Sequence, residues 1–182
     1  MAILASAVRM LGVEAYFVVS AREYQDSTLA SSIRRNRLAM RYPEEFIGPM
    51  RQELTRLGVK ETRTPQDVDA TLGPDGGTVM MVVNSMCGCA AGRARPGIAL
   101  SLKHSVLPDK VATVFAGGDI EATARVREYL KDYPPSSPSV ALFRDGKPVF
   151  MLHRHQIENR DAMDIAKSLT QAFDEFCVKQ PR

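Results

Sequence analysis

The stretch Thr78-Val79-Met80-Met81-Val82-Val83-Asn84-Ser85-Met86-Cys87-Gly88-Cys89-Ala90-Ala91-Gly92 constrains this chain more than any other. From Thr78 to Asn84 it is apolar and rich in valine. That is the composition of a strand covered on both faces, and it implies a parallel or mixed central sheet. The run then meets two cysteines one residue apart and continues in small residues suited to a helix. A strand that delivers a cysteine pair to the start of a helix is the layout of thiol–disulfide chemistry. The free N–H groups and dipole of a helix N-terminus favour an anion, so a thiol placed there ionises more readily. Thiolate is the nucleophile of disulfide exchange, so position as well as residue type argues for reactivity.

The rest of the composition narrows the class. A chain of 182 residues fits one domain with extensions. Its 45% apolar and 25% charged content is that of an ordinary globular protein. The net charge of +3 is small, and no basic tract is long enough to argue for nucleic acid. Arg34-Arg35-Asn36-Arg37, the densest basic patch, reads as a solvated linker. Three cysteines are too few for a disulfide-stapled secreted fold, and in a reducing compartment a close pair is more often catalytic or metal-binding. No stretch reaches the roughly 18 apolar residues that a membrane span requires. Met1 to Ser20 carries Arg9 and Glu14 and lacks a clear apolar signal core, so a cytoplasmic location is expected.

Along the chain, residues 1–39 lack a sustained period and read as a poorly ordered N-terminal extension. The folded domain is expected over 41–178. Pro43-Glu44-Glu45 is a helix start, with Phe46, Ile47, Met50, Leu54 and Leu57 on one face and Gly58 as the stop. Val59 to Thr62 reads as a short strand, and Thr64-Pro65-Gln66-Asp67 as the cap of a second helix. After the strand at 78–84, the helix beyond the cysteines is expected to reach about His104 with a kink at Pro96. Val111 to Phe115 is a further buried strand and Ile120 to Leu130 a helix. Ser139 to Phe143 and Pro148 to Leu152 form a hairpin about Asp145-Gly146. Glu158 to Cys177 closes the chain as one amphipathic helix.

This order resembles an α/β thioredoxin-like fold: a central mixed sheet flanked by helices, here with an extra N-terminal helix. In such folds a cis-proline precedes the first hairpin strand and faces the cysteines, and Pro138 in Ser137-Pro138-Ser139 matches that place. Longer motifs are similar to those of the bacilliredoxin family: Tyr42-Pro43-Glu44-Glu45-Phe46-Ile47-Gly48-Pro49-Met50, Val83 to Gly92, Ala94-Arg95-Pro96-Gly97, Val114-Phe115-Ala116-Gly117, Pro135 to Ser139 and Arg154-His155-Gln156-Ile157-Glu158. The resemblance covers about 41–178. It implies a cytosolic enzyme that removes bacillithiol from protein mixed disulfides, with related disulfide reductase or isomerase activity. Bacillithiol would be the co-substrate and no cofactor would be tightly bound. The expected partners are bacillithiolated client proteins, with no nucleic acid and no membrane, and the expected state is a monomer.

Cys87, nearest the strand end, is the candidate nucleophile, and Cys89 the candidate resolving thiol of this CXC motif. Gly88 between them closes a very short ring, whose strain would make the bridge readily reducible. Without a Cβ, Gly88 is also free to take an unusual φ. Asn84 and Ser85 are placed to orient Cys87. Arg93, Arg95 and Ser137 complete a candidate substrate-binding set, the arginines facing the carboxylates of a thiol such as bacillithiol. Cys177, on or beside the apolar face of the last helix, reads as a small core hydrophobe or as a third redox thiol. His153 and His155 read as exposed residues of a strand edge, and His104 as a cation at a helix C-terminus. Two alternatives stay open: general protein disulfide exchange, and a soft-metal carrier using Cys87 and Cys89.

Overall fold

A computed structural model describes residues 41–178, so the extension expected over 1–39 lies outside the described residues. Helix α1 (Glu44–Thr55) starts behind Pro43 with Glu44 and Glu45 in its first turn, where acids suit the helix dipole. It buries Ile47, Arg51 and Leu54, while Phe46 and Leu57, expected on the apolar face, are exposed. The difference comes from Arg51. Its guanidinium is drawn inward by Asp119, which accepts from Nη1 at 2.7 Å and from Nη2 at 2.8 Å, and the helix turns to suit that pair. Gly58, with φ of +84°, ends the helical segment in a conformation that only glycine adopts cheaply.

Strand β1 (Lys60–Glu61) is short, and α2 (Pro65–Leu72) begins at the expected capping box between Thr64 and Asp67. All seven residues of β2 (Thr78–Asn84) are buried. The segment after the cysteines departs from the single kinked helix expected to His104. A π-helical turn, Ala90–Ala94, runs directly into α3 (Arg95–Ser101), and Pro96, which has no N–H for the helical ladder, follows immediately after the wider turn. Then come β3 (Lys110–Phe115), α4 (Ile120–Tyr129), β4 (Ser139–Arg144) and β5 (Lys147–Leu152), the last two joined at Asp145 and Gly146, both with positive φ. The final segment is two helices, α5 (Arg154–Glu158) and α6 (Ala162–Phe176). The helix expected over 158–177 starts at Ala162, because the Asp161 side chain caps it by accepting from the Asp164 N–H, and the short α5 ahead of it was not expected.

The sheet order is β1-β3-β2-β4-β5, with β1, β3 and β2 parallel and β4 and β5 antiparallel to their neighbours. This is the thioredoxin-like fold, with α1 added in front. Strand β2 is apolar from Val79 to Val83 because it feeds two cores. Met80 and Val82 pack with Ile98, Ile165, Leu169 and Phe173 beneath α3 and α6. Val79, Met81 and Val83 pack with Val68, Leu72 and Val126 beneath α2 and α4. Gly97 lets α3 lie close on α6, since a Cβ there would meet Ile165 Cγ2 at 2.6 Å. Among the described residues no helix is long and apolar enough to cross a membrane.

Candidate active site

Register decides what meets at the end of the sheet. Asn84 pairs with Phe115, Val83 with Ser139, and Val140 with Leu152. The end of β2, the start of β4 and the end of β5 therefore share one edge, and the Cys87 segment leaves the sheet there. Cys87 and Cys89 form a disulfide with their Cα atoms 5.4 Å apart. The Cys87 carbonyl accepts from the N–H groups of Ala90 (3.0 Å) and Ala91 (3.2 Å), so Cys87 stands at the opening of a helical run that begins at Gly88. Gly88 does not use the unusual φ expected of it: its backbone is helical, and a Cβ would meet nothing within 4 Å. The Ser85 hydroxyl lies 3.3 Å from Cys87 Sγ. Asn84 Oδ1 accepts from the Ser85 N–H at 2.9 Å, so both residues named as orienting Cys87 touch its segment.

The Ser137–Pro138 peptide is cis. The pairing of Val83 with Ser139 sets Pro138 level with Asn84, on the edge from which the cysteines emerge. Ser137 uses its backbone, its carbonyl accepting from Arg154 Nη1 at 3.4 Å.

The two arginines separate. Arg93 is exposed and donates to the Glu158 carbonyl, whose carboxylate accepts from Arg154 Nε at 3.1 Å. Arg95 does not face a ligand: it is 3% exposed. Its Nε donates to Glu53 Oε2 at 2.7 Å, and its Nη1 to the Ser85 carbonyl at 3.1 Å and Asn84 Oδ1 at 3.3 Å. The π turn accounts for this. The Arg95 N–H bonds back to the Ala90 carbonyl, one residue further than in an α-helix, which turns the arginine under the motif. Glu53 and the Arg51–Asp119 pair escaped the sequence reading, since an acid or arginine on a helix carries no sign of its tertiary partner. Asp119 also accepts from the Phe115 N–H at 2.8 Å and so braces the loop beside the site.

The histidines do not lie on a strand edge. His153 precedes α5 and His155 is inside it, and their rings stack with centroids 5.5 Å apart. Burial, and secondarily the neighbouring His155, pushes the His153 imidazole below the usual histidine range. His104 pairs with Asp174 at 2.7 Å.

Cys177 is a half-buried free thiol in a pocket with Thr78, Asp109 and Arg144. Thr78 starts β2 and the motif follows its end, and the seven residues of β2 span about 20 Å. Cys177 is therefore out of reach of Cys87 within one chain. Burial pushes its thiol up, the opposite of what a nucleophile needs. Among the described residues no three His, Cys, Asp or Glu side chains gather as a metal would require.

The family model described as disulphide isomerase matches residues 42–177. A bacilliredoxin of Koribacter versatilis is 53% identical over 136 residues, covering 75% of this chain and 94% of the relative. A bacilliredoxin of Salinibacter ruber is 52% identical over 142 residues, covering 76% and 82%. One of Staphylococcus aureus is 46% identical over 139 residues, covering 76% and 95%. Among solved structures, a thioredoxin variant of Halobacterium salinarum superposes with a TM-score of 0.47 at 15% identity, over 67% of this chain and 93% of that one. The family model over 42–177 and the bacilliredoxins at 46–53% identity show that the chain belongs to the bacilliredoxin family and is a thiol–disulfide oxidoreductase.

Proposed function

We propose that the protein removes bacillithiol from mixed disulfides on client proteins in the bacterial cytosol, acting as a monomer through Cys87. The observation that carries the assignment of roles is the Ser85 hydroxyl 3.3 Å from Cys87 Sγ, which supports a thiolate at Cys87 once the disulfide is open. The Cys87 thiolate attacks the bacillithiol sulfur of the client disulfide. A Cys87–bacillithiol disulfide forms, the client–bacillithiol bond breaks, and the client sulfur leaves as thiolate and takes a proton from water. Cys89, as thiolate, then attacks Cys87 Sγ and expels bacillithiol, which regenerates the Cys87–Cys89 disulfide. Alternatively, a second bacillithiol attacks the adduct, leaving oxidised bacillithiol and the free Cys87 thiol. Pro138, level with Asn84, and its neighbour Ser137, with the exposed Arg93, are the residues we assign to substrate contact.

Release of client thiol from a bacillithiol-capped protein tests the reading. The reduced wild type is expected to release one client thiol per enzyme without added reductant, and Cys87→Ser none. Full release by Cys87→Ser with loss in Cys89→Ser would reverse the roles. A second reading, general protein disulfide isomerisation, is favoured by the description of the matching family model. It predicts instead that a scrambled-disulfide protein is reactivated faster than a bacillithiol-capped one is released.

A further inference from the structure

We propose that Arg95 and Glu53 form a charge switch, the arginine buried and the glutamate half-exposed, that sets how readily Cys87 ionises, and that carrying Glu53 is the functional reason for the added helix α1. The inference rests on Cys87 being the attacking thiol. It concerns positioning residues, because neither side chain is placed to touch a substrate.

A guanidinium removed from water is tolerated only with partners for its charge and its N–H groups. Arg95 has one carboxylate, that of Glu53, and Glu53 is 47% exposed, so solvent weakens the compensation. Its other partners are neutral: the Ser85 carbonyl and Asn84 Oδ1. Both belong to the segment that carries Cys87, and Ser85 is the residue whose hydroxyl meets Cys87 Sγ. The Asn84 amide nitrogen is buried as well and has no partner among the described residues. The floor of the motif thus offers more N–H and positive charge than it has acceptors. Opening the disulfide creates an anion two residues from the carbonyl that Arg95 holds, and an anion there supplies what the floor lacks. Arg95 therefore favours the Cys87 thiolate through its charge, and through the segment that it fixes for Ser85. Glu53, by neutralising Arg95, opposes the first effect.

The other charged groups around this end of the sheet are engaged elsewhere. Arg51 of α1 pairs with Asp119, Glu44 and Glu61. Arg41 pairs with Glu121 of α4. Arg93 of the π turn and Arg154 of α5 converge on Glu158. His153 and His155 stack on each other.

The two side chains are predicted to act with opposite sign, which a purely structural bridge would not do. The test is the rate of alkylation of fully reduced protein by iodoacetamide against pH, read at Cys87 by peptide mass analysis for wild type, Arg95→Met, Arg95→Lys and Glu53→Gln. No client and no bacillithiol are present, so failure of this inference is distinct from failure of the proposed de-thiolation. The pH midpoint is expected to rise by about one unit in Arg95→Met, to rise less in Arg95→Lys, which keeps the charge, and to fall in Glu53→Gln. If Arg95→Met and Glu53→Gln shift the midpoint in the same direction, or if neither shifts it, the inference is wrong. Should Arg95→Met fail to fold, Glu53→Gln decides alone: a lower midpoint supports the switch, and an unchanged or higher one overturns it.

Discussion

At the scale of single residues, Cys87 and Cys177 have opposite environments. Cys87 stands at a helix opening beside a hydroxyl, whereas Cys177 sits among Thr78, Asp109 and Arg144 with burial as the leading influence on its titration. The sign follows from linkage. A thiol whose folded pKa is raised is held neutral, so its contribution to stability is complete below the unfolded value of about 8.5 and is lost as pH rises through the folded value. Melting temperatures of wild type and Cys177→Ala, both reduced and followed from pH 7 to 10, should run parallel at neutral pH. Above about pH 9 the wild type should lose more stability than the variant. Parallel curves over the whole range would mean that Cys177 is not held neutral by the fold. Reading these residues from sequence had uneven success. Asn84, Ser85 and Pro138 are placed by the ends of recognisable strands, so their position beside the motif is legible. The inward turn of Arg95 depends on a π turn and on Glu53 in another element, neither of which leaves a periodic trace.

At the scale of elements, the strands were legible and the helices less so. An apolar run such as Thr78–Asn84 has one reading when both faces are covered, and the Asp145-Gly146 step fixes its hairpin because both residues take positive φ. Helix faces are decided by pairs that periodicity does not weigh. Arg51 took a buried position on α1 because Asp119 awaited it, and Phe46 was left outside. The final helix starts at the Asp161 cap rather than at Glu158, and the histidines expected on a strand edge start α5 instead. Packing of α3 on α6 yields a direct prediction. A Cβ at position 97 would lie 2.6 Å from Ile165 Cγ2 and 3.1 Å from the Ala162 carbonyl. Gly97→Ala should therefore destabilise by about 1–3 kcal/mol despite the better helix propensity of alanine. Thermal unfolding would show a melting temperature several degrees lower. An unchanged or higher value would mean that the two helices have room to part.

At the scale of the whole molecule, the sheet separates two poles. One carries the disulfide, the cis-proline and the Arg95–Glu53 pair, and the other carries Cys177. Helix α1 is the element added to the thioredoxin-like frame, and it reaches the first pole through Glu53 and Arg51. The small net charge, the single reactive pair and the family all suit exchange chemistry on protein thiols. The central claim, that Cys87 takes bacillithiol from a client, is tested most directly by intact and peptide mass analysis of reduced Cys89→Ser mixed with a bacillithiol-capped client. A bacillithiol adduct on Cys87, with one client thiol freed for each adduct, is the predicted result. A covalent conjugate between Cys87 and the client, with bacillithiol released, would contradict the claim and make the protein a general disulfide exchanger.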